Sequence, residues 1–225
     1  NGLAHHDLSD AVELLANIGY RGVAVTLDHG TLNPYSHGYK SQAKQLRQLA
    51  AHHGLTYVVE TGARYLLDPH TKHEPTLVSG SKRGREQRVD FLKRAIDAAT
   101  RIEARCVSVW SGVVHDNASH EVAMQRLVES LLPVLAEAAR REVLLAFEPE
   151  PGMLIETLAD YSTLRKQLVA AGAETNSLQL TVDIGHLHCL DEVPIAEHLI
   201  QYGESIANIH IEDMRAGIHE HLQFG

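Results

Sequence analysis

Cysteine is nearly absent from this 225-residue chain: Cys106 and Cys189 are the only two, so no disulfide framework can hold the fold. Two free thiols suit a reducing compartment, and no secretory leader is visible, so a cytoplasmic location is expected. No stretch approaches the roughly 18 consecutive apolar residues that a membrane-spanning helix needs, which argues against a membrane partner. Blocks of like charge are missing too. The formal charge of −9 is spread along the chain, and an acidic surface repels phosphate backbones, so nucleic acid is not an expected partner. No proline- or serine-rich linker divides the chain, which predicts one domain over residues 1–225. A glycine-rich phosphate turn after the first strand-like run is also lacking, which disfavours a dinucleotide-binding doubly wound sheet.

What is present is a substantial core. Hydrophobic residues make up 44% of the chain, enough for an α/β domain and too many for disorder. Short β-branched runs alternate with longer amphipathic stretches, the pattern of repeated βα units around a parallel sheet. The runs at 22–28, 56–62, 106–112, 143–150, 178–184 and 205–213 predict strands. Segments near 8–18, 39–54, 84–103, 120–141, 157–171 and 194–202 predict helices; in one of them Val89, Leu92, Ile96, Ala99 and Ile102 form a single apolar stripe. "NGLAHH" reads as the tail of a further strand. Nearly every predicted strand ends in polar residues, which favours a (β/α)8 TIM barrel, whose chemistry sits at the C-terminal ends of its strands. The chain opens on Asn1-Gly2 and stops at "HLQFG". The expectation is therefore an incomplete barrel, lacking most of the first strand and the last helix, strand and helix. Its end strands would present open edges, so that it would need a partner chain or would aggregate, and a homo-oligomer is a further expectation.

Sixteen histidines are conspicuous, and only position separates a ligand from a surface group. His52, His53 and His198 fall in helical stretches where a solvated role is expected. Strand ends are different. Side chains alternate along a strand, and with Leu145, Phe147, Leu180, Val182, Ile209 and Ile211 facing the helices, Glu148, Asp183 and His210 face inward. Two carboxylates and an imidazole converging in a low-dielectric mouth are costly unless a cation sits between them or a hydrogen-bond network neutralises them. One divalent ion, Mn²⁺, Zn²⁺, Co²⁺ or Mg²⁺, suits these donors.

The motifs "FEPE" (147–150), "VDIGH" (182–186) and "NIHIED" (208–213), in this order, resemble the xylose isomerase-like TIM-barrel superfamily of sugar isomerases, sugar 3-epimerases and endonuclease IV. The resemblance spans essentially the whole chain. It implies metal ligands on four successive barrel strands, of which the first three match Glu148, Asp183 and His210; the fourth, a Glu, has no counterpart. It also implies that His186 contacts substrate and that Glu148 doubles as ligand and catalytic base. The implied activity is a metal-dependent sugar isomerase or epimerase, moving a proton next to a carbonyl of a sugar or polyol through a metal-stabilised enediolate. A keto-sugar or keto-inositol dehydratase or lyase begins with the same proton removal. Phosphodiester hydrolysis is disfavoured by the charge, and a non-catalytic binding barrel is a further alternative.

Other residues are weaker candidates for substrate contact, each with an ordinary alternative. Glu60 could form a rim salt bridge, and Trp110, the only tryptophan, could pack in the core. Arg215 could be a surface arginine, His188 a rim histidine, and His5 or His6 could face the pocket or solvent. His219 and His221 resemble the loop in which endonuclease IV carries further ligands, and could hold a second metal or shape the pocket. The long stretch 64–88 predicts a lid, with Lys82, Arg83, Arg85 and Arg88 either gripping an acidic substrate or forming a basic turn.

Overall fold

The computed structural model describes Leu3 and residues 5–224. Six parallel strands, β1 (Gly22–Thr26), β2 (Thr56–Glu60), β3 (Cys106–Val109), β4 (Leu144–Phe147), β5 (Leu178–Asp183) and β6 (Ile206–His210), lie side by side in sequence order. Helix α1 (Leu8–Ile18) precedes β1; α2 (Tyr39–His53), α3 (Lys82–Ile102), α4 (His120–Arg140) and α5 (Leu158–Ala170) separate successive strands; a short α6 (Ile184–Cys189) and α7 (Ile195–Tyr202) precede β6. Strictly sequential parallel order with helical crossovers is the (β/α) barrel arrangement. The sheet curls as a barrel does: β6 approaches β3 and β4 across the interior.

The curl follows from the two faces of the strands. Val59, Val107, Val109, Leu145, Phe147, Leu180 and Val182 are buried beneath the helices. The opposite parity carries small residues. Ser108 stands in register between Glu60 and Ala146, and Ser108, Ala146 and Thr181 are fully buried inside the curl, where little room is left. On α3 the apolar stripe is buried at Leu92, Ile96, Ala99 and Ile102, joined by Phe91 and Ala95. Burying side chains of this size contributes about 1.5–3 kcal/mol each, so the helical shell is the main source of stability.

Several expectations need correction. Observed strands are shorter than predicted at their C-terminal ends, because the residues there leave the ladder to build the mouth. The described part of "NGLAHH" is a turn closed by His6 N–H to the Leu3 carbonyl at 3.0 Å, not a strand; Asn1, Gly2 and Ala4 lie outside the described residues. An antiparallel hairpin, β7 (Asp213–Arg215) with β8 (Ile218–Leu222), was not foreseen. The predicted lid is a fixed wall. Leu77 and Val78 are fully buried, the Leu77 carbonyl accepts from Ser130 Oγ at 3.1 Å, and Arg85 caps the Ser79 carbonyl at 2.8 Å. Nor do the four basic residues form a grip: Lys82 pairs with Glu86, Arg83 is exposed, and Arg88 is buried. Among the described residues no helix is long and apolar enough to cross a membrane.

Candidate metal centre and active site

The ends of β4, β5 and β6 meet at one point. Asp183 closes β5 and caps α6: its Oδ1 accepts from the N–H groups of Gly185 at 2.7 Å and His186 at 3.2 Å. Stabilising the helix start fixes the carboxylate and leaves Oδ2 free for the interior. A Cβ at Gly185 would stand 2.9 Å from Glu212 Cγ, so a larger residue there would displace the Glu212 side chain. The single turn of α6 then carries His186 inward, buried, and leaves His188 exposed. Ligand atoms of Glu148, Asp183 and His186 all lie within 4.8 Å of one another.

His210 joins the group from β6. Its Nδ1 is 2.9 Å from Glu148 Oε1 and 3.9 Å from Asp183 Oδ2, and its Nε2 is 3.3 Å from Glu60 Oε1 across the interior. Burial opposes a charge on this ring, but the hydrogen bonds and charges of Glu148 and Glu60 outweigh it and push its pKa up to about 11. A proton on this ring and a cation held between the carboxylates are alternative ways of balancing the same negative charge. Glu150, one alternation beyond Glu148, is pushed up to about 7 by burial and then by Glu148.

Two buried atoms at this point have no hydrogen-bond partner, His186 Nε2 and Glu212 Oε1. His186 Nδ1 lies 3.2 Å from the Pro149 carbonyl, an acceptor only, so Nδ1 carries the proton and Nε2 presents a lone pair. That lone pair faces Glu212 Oε1 at 3.9 Å. Two electron-rich atoms buried face to face call for a cation, and the carboxylate and imidazole donors suit a divalent one. The residues fit a metal. Glu212 Oε2 also meets His221 Nδ1 at 2.5 Å, and the His219 ring stands 4.9 Å from that of His186, so the hairpin brings both its histidines to the rim of the same cluster.

Elsewhere, Glu60 is half-buried and bonded to His210, and Trp110, half-buried, shares the inward parity of Ser108. Arg215 is exposed on the hairpin and pairs with Glu220 at 3.8 Å. His5 and His6 are exposed ahead of α1. Sequence reasoning gave no role to Glu150 and read Glu212 only as inward-facing, although each repeats the parity of the functional residue two positions before it. That repeat was the available signal.

A sequence profile described as xylose isomerase-like TIM barrel matches residues 12–225. The chain belongs to this family. It is 25% identical over 221 residues to an uncharacterized protein of Methanocaldococcus jannaschii, an alignment covering 97% of this chain and 76% of that protein. Among solved structures, the 3-keto-D-glucoside 4-epimerase of E. coli superposes with a TM-score of 0.74 at 15% identity, covering 95% of this chain and 76% of that one. D-psicose 3-epimerase from Clostridium cellulolyticum H10, with D-tagatose, gives 0.70 at 17% identity, covering 92% and 68%. AP endonuclease, family 2, from Brucella melitensis gives 0.69 at 15%, covering 93% and 75%. These likenesses establish the shared fold.

Proposed function

We propose that this chain carries the metal and proton-transfer groups of a divalent-metal-dependent sugar isomerase or epimerase. The observation that carries this reading is the convergence of Glu148, Asp183 and His186 from adjacent strand ends, with His210 bonded to Glu148. Epimerases of 3-keto-D-glucoside and of D-psicose share the fold, which supports a sugar or polyol as substrate. Glu148 and Asp183 would hold the cation with the imidazole of His210, deprotonated on the nitrogen that faces them. A cation bound there supplies Lewis acidity, polarising a carbonyl and its neighbouring hydroxyl so that the C–H between them becomes acidic. Glu148, buried at the centre, is placed to take that proton, with Glu150 one alternation beyond it on the same strand end. Glu60, His186 and Trp110 line the mouth for substrate; His188 and Arg215 stand at the rim.

His219 and His221, with His186 and Glu212, form the proposed place for a second cation. Because that imidazole cluster accompanies a fold shared with an AP endonuclease, phosphodiester hydrolysis is the second reading. Elemental analysis beside solvent-deuterium exchange into D-tagatose and D-fructose tests both. Bound Mn, Co, Zn or Mg, loss of exchange on chelation and recovery on adding Mn²⁺ support the isomerase reading, and an eliminated product would move it to a lyase. Cleavage of abasic DNA without ketose exchange favours the second reading. Absence of both metal and turnover sinks the enzyme reading.

A further inference from the structure

Arg88 on α3 keeps only 2% of its surface exposed, yet among the described residues no carboxylate hydrogen-bonds to it. Burial pulls its pKa down to about 10 against the opposing charge of Glu74, so the guanidinium stays charged at neutral pH in a dry place. A buried charge of this kind is costly, and a methionine or leucine would fill the same volume without that cost. Its neighbours show what the charge does instead. Nη1 donates to the Thr61 carbonyl at 3.0 Å and Nη2 to the His73 carbonyl at 3.2 Å, tying both ends of one loop to α3. The guanidinium carbon stands 4.4 Å from the centre of the Trp110 ring, within cation–π range. The His73 ring meets the same indole edge-on, at 6.0 Å and 87°, and its Nδ1 bonds the Gly62 carbonyl.

The loop so held is strained. Ala63, Arg64 and His73 have φ of 57°, 41° and 69°, a region non-glycine residues rarely occupy and hold only where surrounding contacts enforce it. Trp110, immediately after β3, has the inward parity of Ser108, which aligns with Glu60 on one side and Ala146 on the other. That parity directs Trp110 to the side of the sheet on which Glu148 and His210 lie, and Arg88 stands over its ring.

We propose that Arg88 is a positioning residue that clamps the Trp110 indole and the loop after β2 into one rigid wall, holding that indole as the platform on which, by the sugar reading above, a sugar ring stacks. The clamp stands on geometry alone; the platform rests on the sugar reading above.

Trp110 is the single tryptophan, so intrinsic fluorescence reports it without labelling. In the intact chain its anisotropy decay should follow overall tumbling only. Arg88→Met should shift emission to the red and raise acrylamide quenching about threefold. In the same variant KM for D-tagatose or D-fructose should rise about tenfold with kcat within about twofold, the split expected when ground-state and transition-state contacts are lost equally. Arg88→Lys keeps the charge but not the two-carbonyl fork, so its emission should resemble that of Arg88→Met. Unchanged emission and quenching in a folded Arg88→Met overturn the clamp. So does fast, large-amplitude depolarisation in the unmodified chain, a readout that needs no variant to fold. Freed fluorescence with an unchanged KM overturns the platform. A rigid indole that Arg88→Met releases, in a protein that turns over no ketose, supports the clamp and refutes the sugar reading with its platform.

Discussion

The two halves of the barrel mouth are built on opposite principles. Around the ends of β2 and β3 the wall is packed: Leu77 and Val78 have no exposed surface, loop carbonyls are capped by Ser130 and Arg85, and Arg88 lies buried beneath Trp110. Around the ends of β4, β5 and β6 the wall is charged: Glu148, Asp183, His186, His210 and Glu212 crowd together, with the exposed β7–β8 hairpin beside them. The first half spends apolar burial on rigidity. The second leaves polar atoms unpartnered inside the protein, as a site must if it is to bind something. Stability and chemistry are separated in space, so each should be removable without the other.

The largest effect should come from the charged half. On the proposed mechanism Glu148→Gln and Asp183→Asn should each lower turnover by about 10³-fold or more, the first by removing both a cation holder and the base, the second by removing a cation holder. Asparagine caps helices as well as aspartate does, so chemical denaturation should show Asp183→Asn within about 0.5 kcal/mol of the parent. A large stability loss there would erase the separation. In the packed half, Leu77→Ala should cost about 2–5 kcal/mol in urea unfolding while kcat changes little. A loss below about 1 kcal/mol would mean that the loop after β2 is a lid after all.

The hairpin should respond weakly. Met214 is its buried anchor, 8% exposed, and Met214→Ala should speed amide exchange across 213–222 with a global cost of about 1 kcal/mol. The smallest effect concerns pH. Burial pushes the Asp97 carboxyl on α3 up, but hydrogen bonds from Arg101 and Tyr39 and the charge of Arg141 outweigh it, so its pKa ends below the ordinary 3.8. A depressed folded pKa contributes stability that is present above pH 3.8 and lost as pH falls through the lower folded value. Asp97→Asn should therefore cost about 0.5–1 kcal/mol at neutral pH, with the difference vanishing in acid unfolding below that range.

How much was legible in advance differs between the halves in the same way. Glu148, Asp183 and His210 were readable because period-2 alternation assigns a side chain's direction wherever one face of a strand is clearly apolar. His186 was placed by likeness alone; that it stands inward and His188 outward depends on α6 starting at Ile184, which Asp183 itself enforces. The clamped loop was misread because sequences from 61 to 81 carry no periodicity, and burial of Leu77 and Val78 depends on α3 and α4 lying over them. Arg88 was misread for the same reason: a charged residue near a helix start looks solvated until the fold closes above it. The hairpin escaped notice because its strands span only 213–215 and 218–222, too short for an alternating pattern to stand out.

Local pattern by itself determined the order of strands and helices, the barrel class, and the inward direction of the strand-end acids. Each depends only on periodicities of 2 and 3.6 and on which residues resist water. Tertiary structure alone decided that Glu60 reaches His210 from across the curl, that His186 Nε2 faces Glu212, and that a guanidinium sits beneath the single tryptophan. Those contacts join residues far apart in the chain, and only the closure of the sheet determines the distances between them.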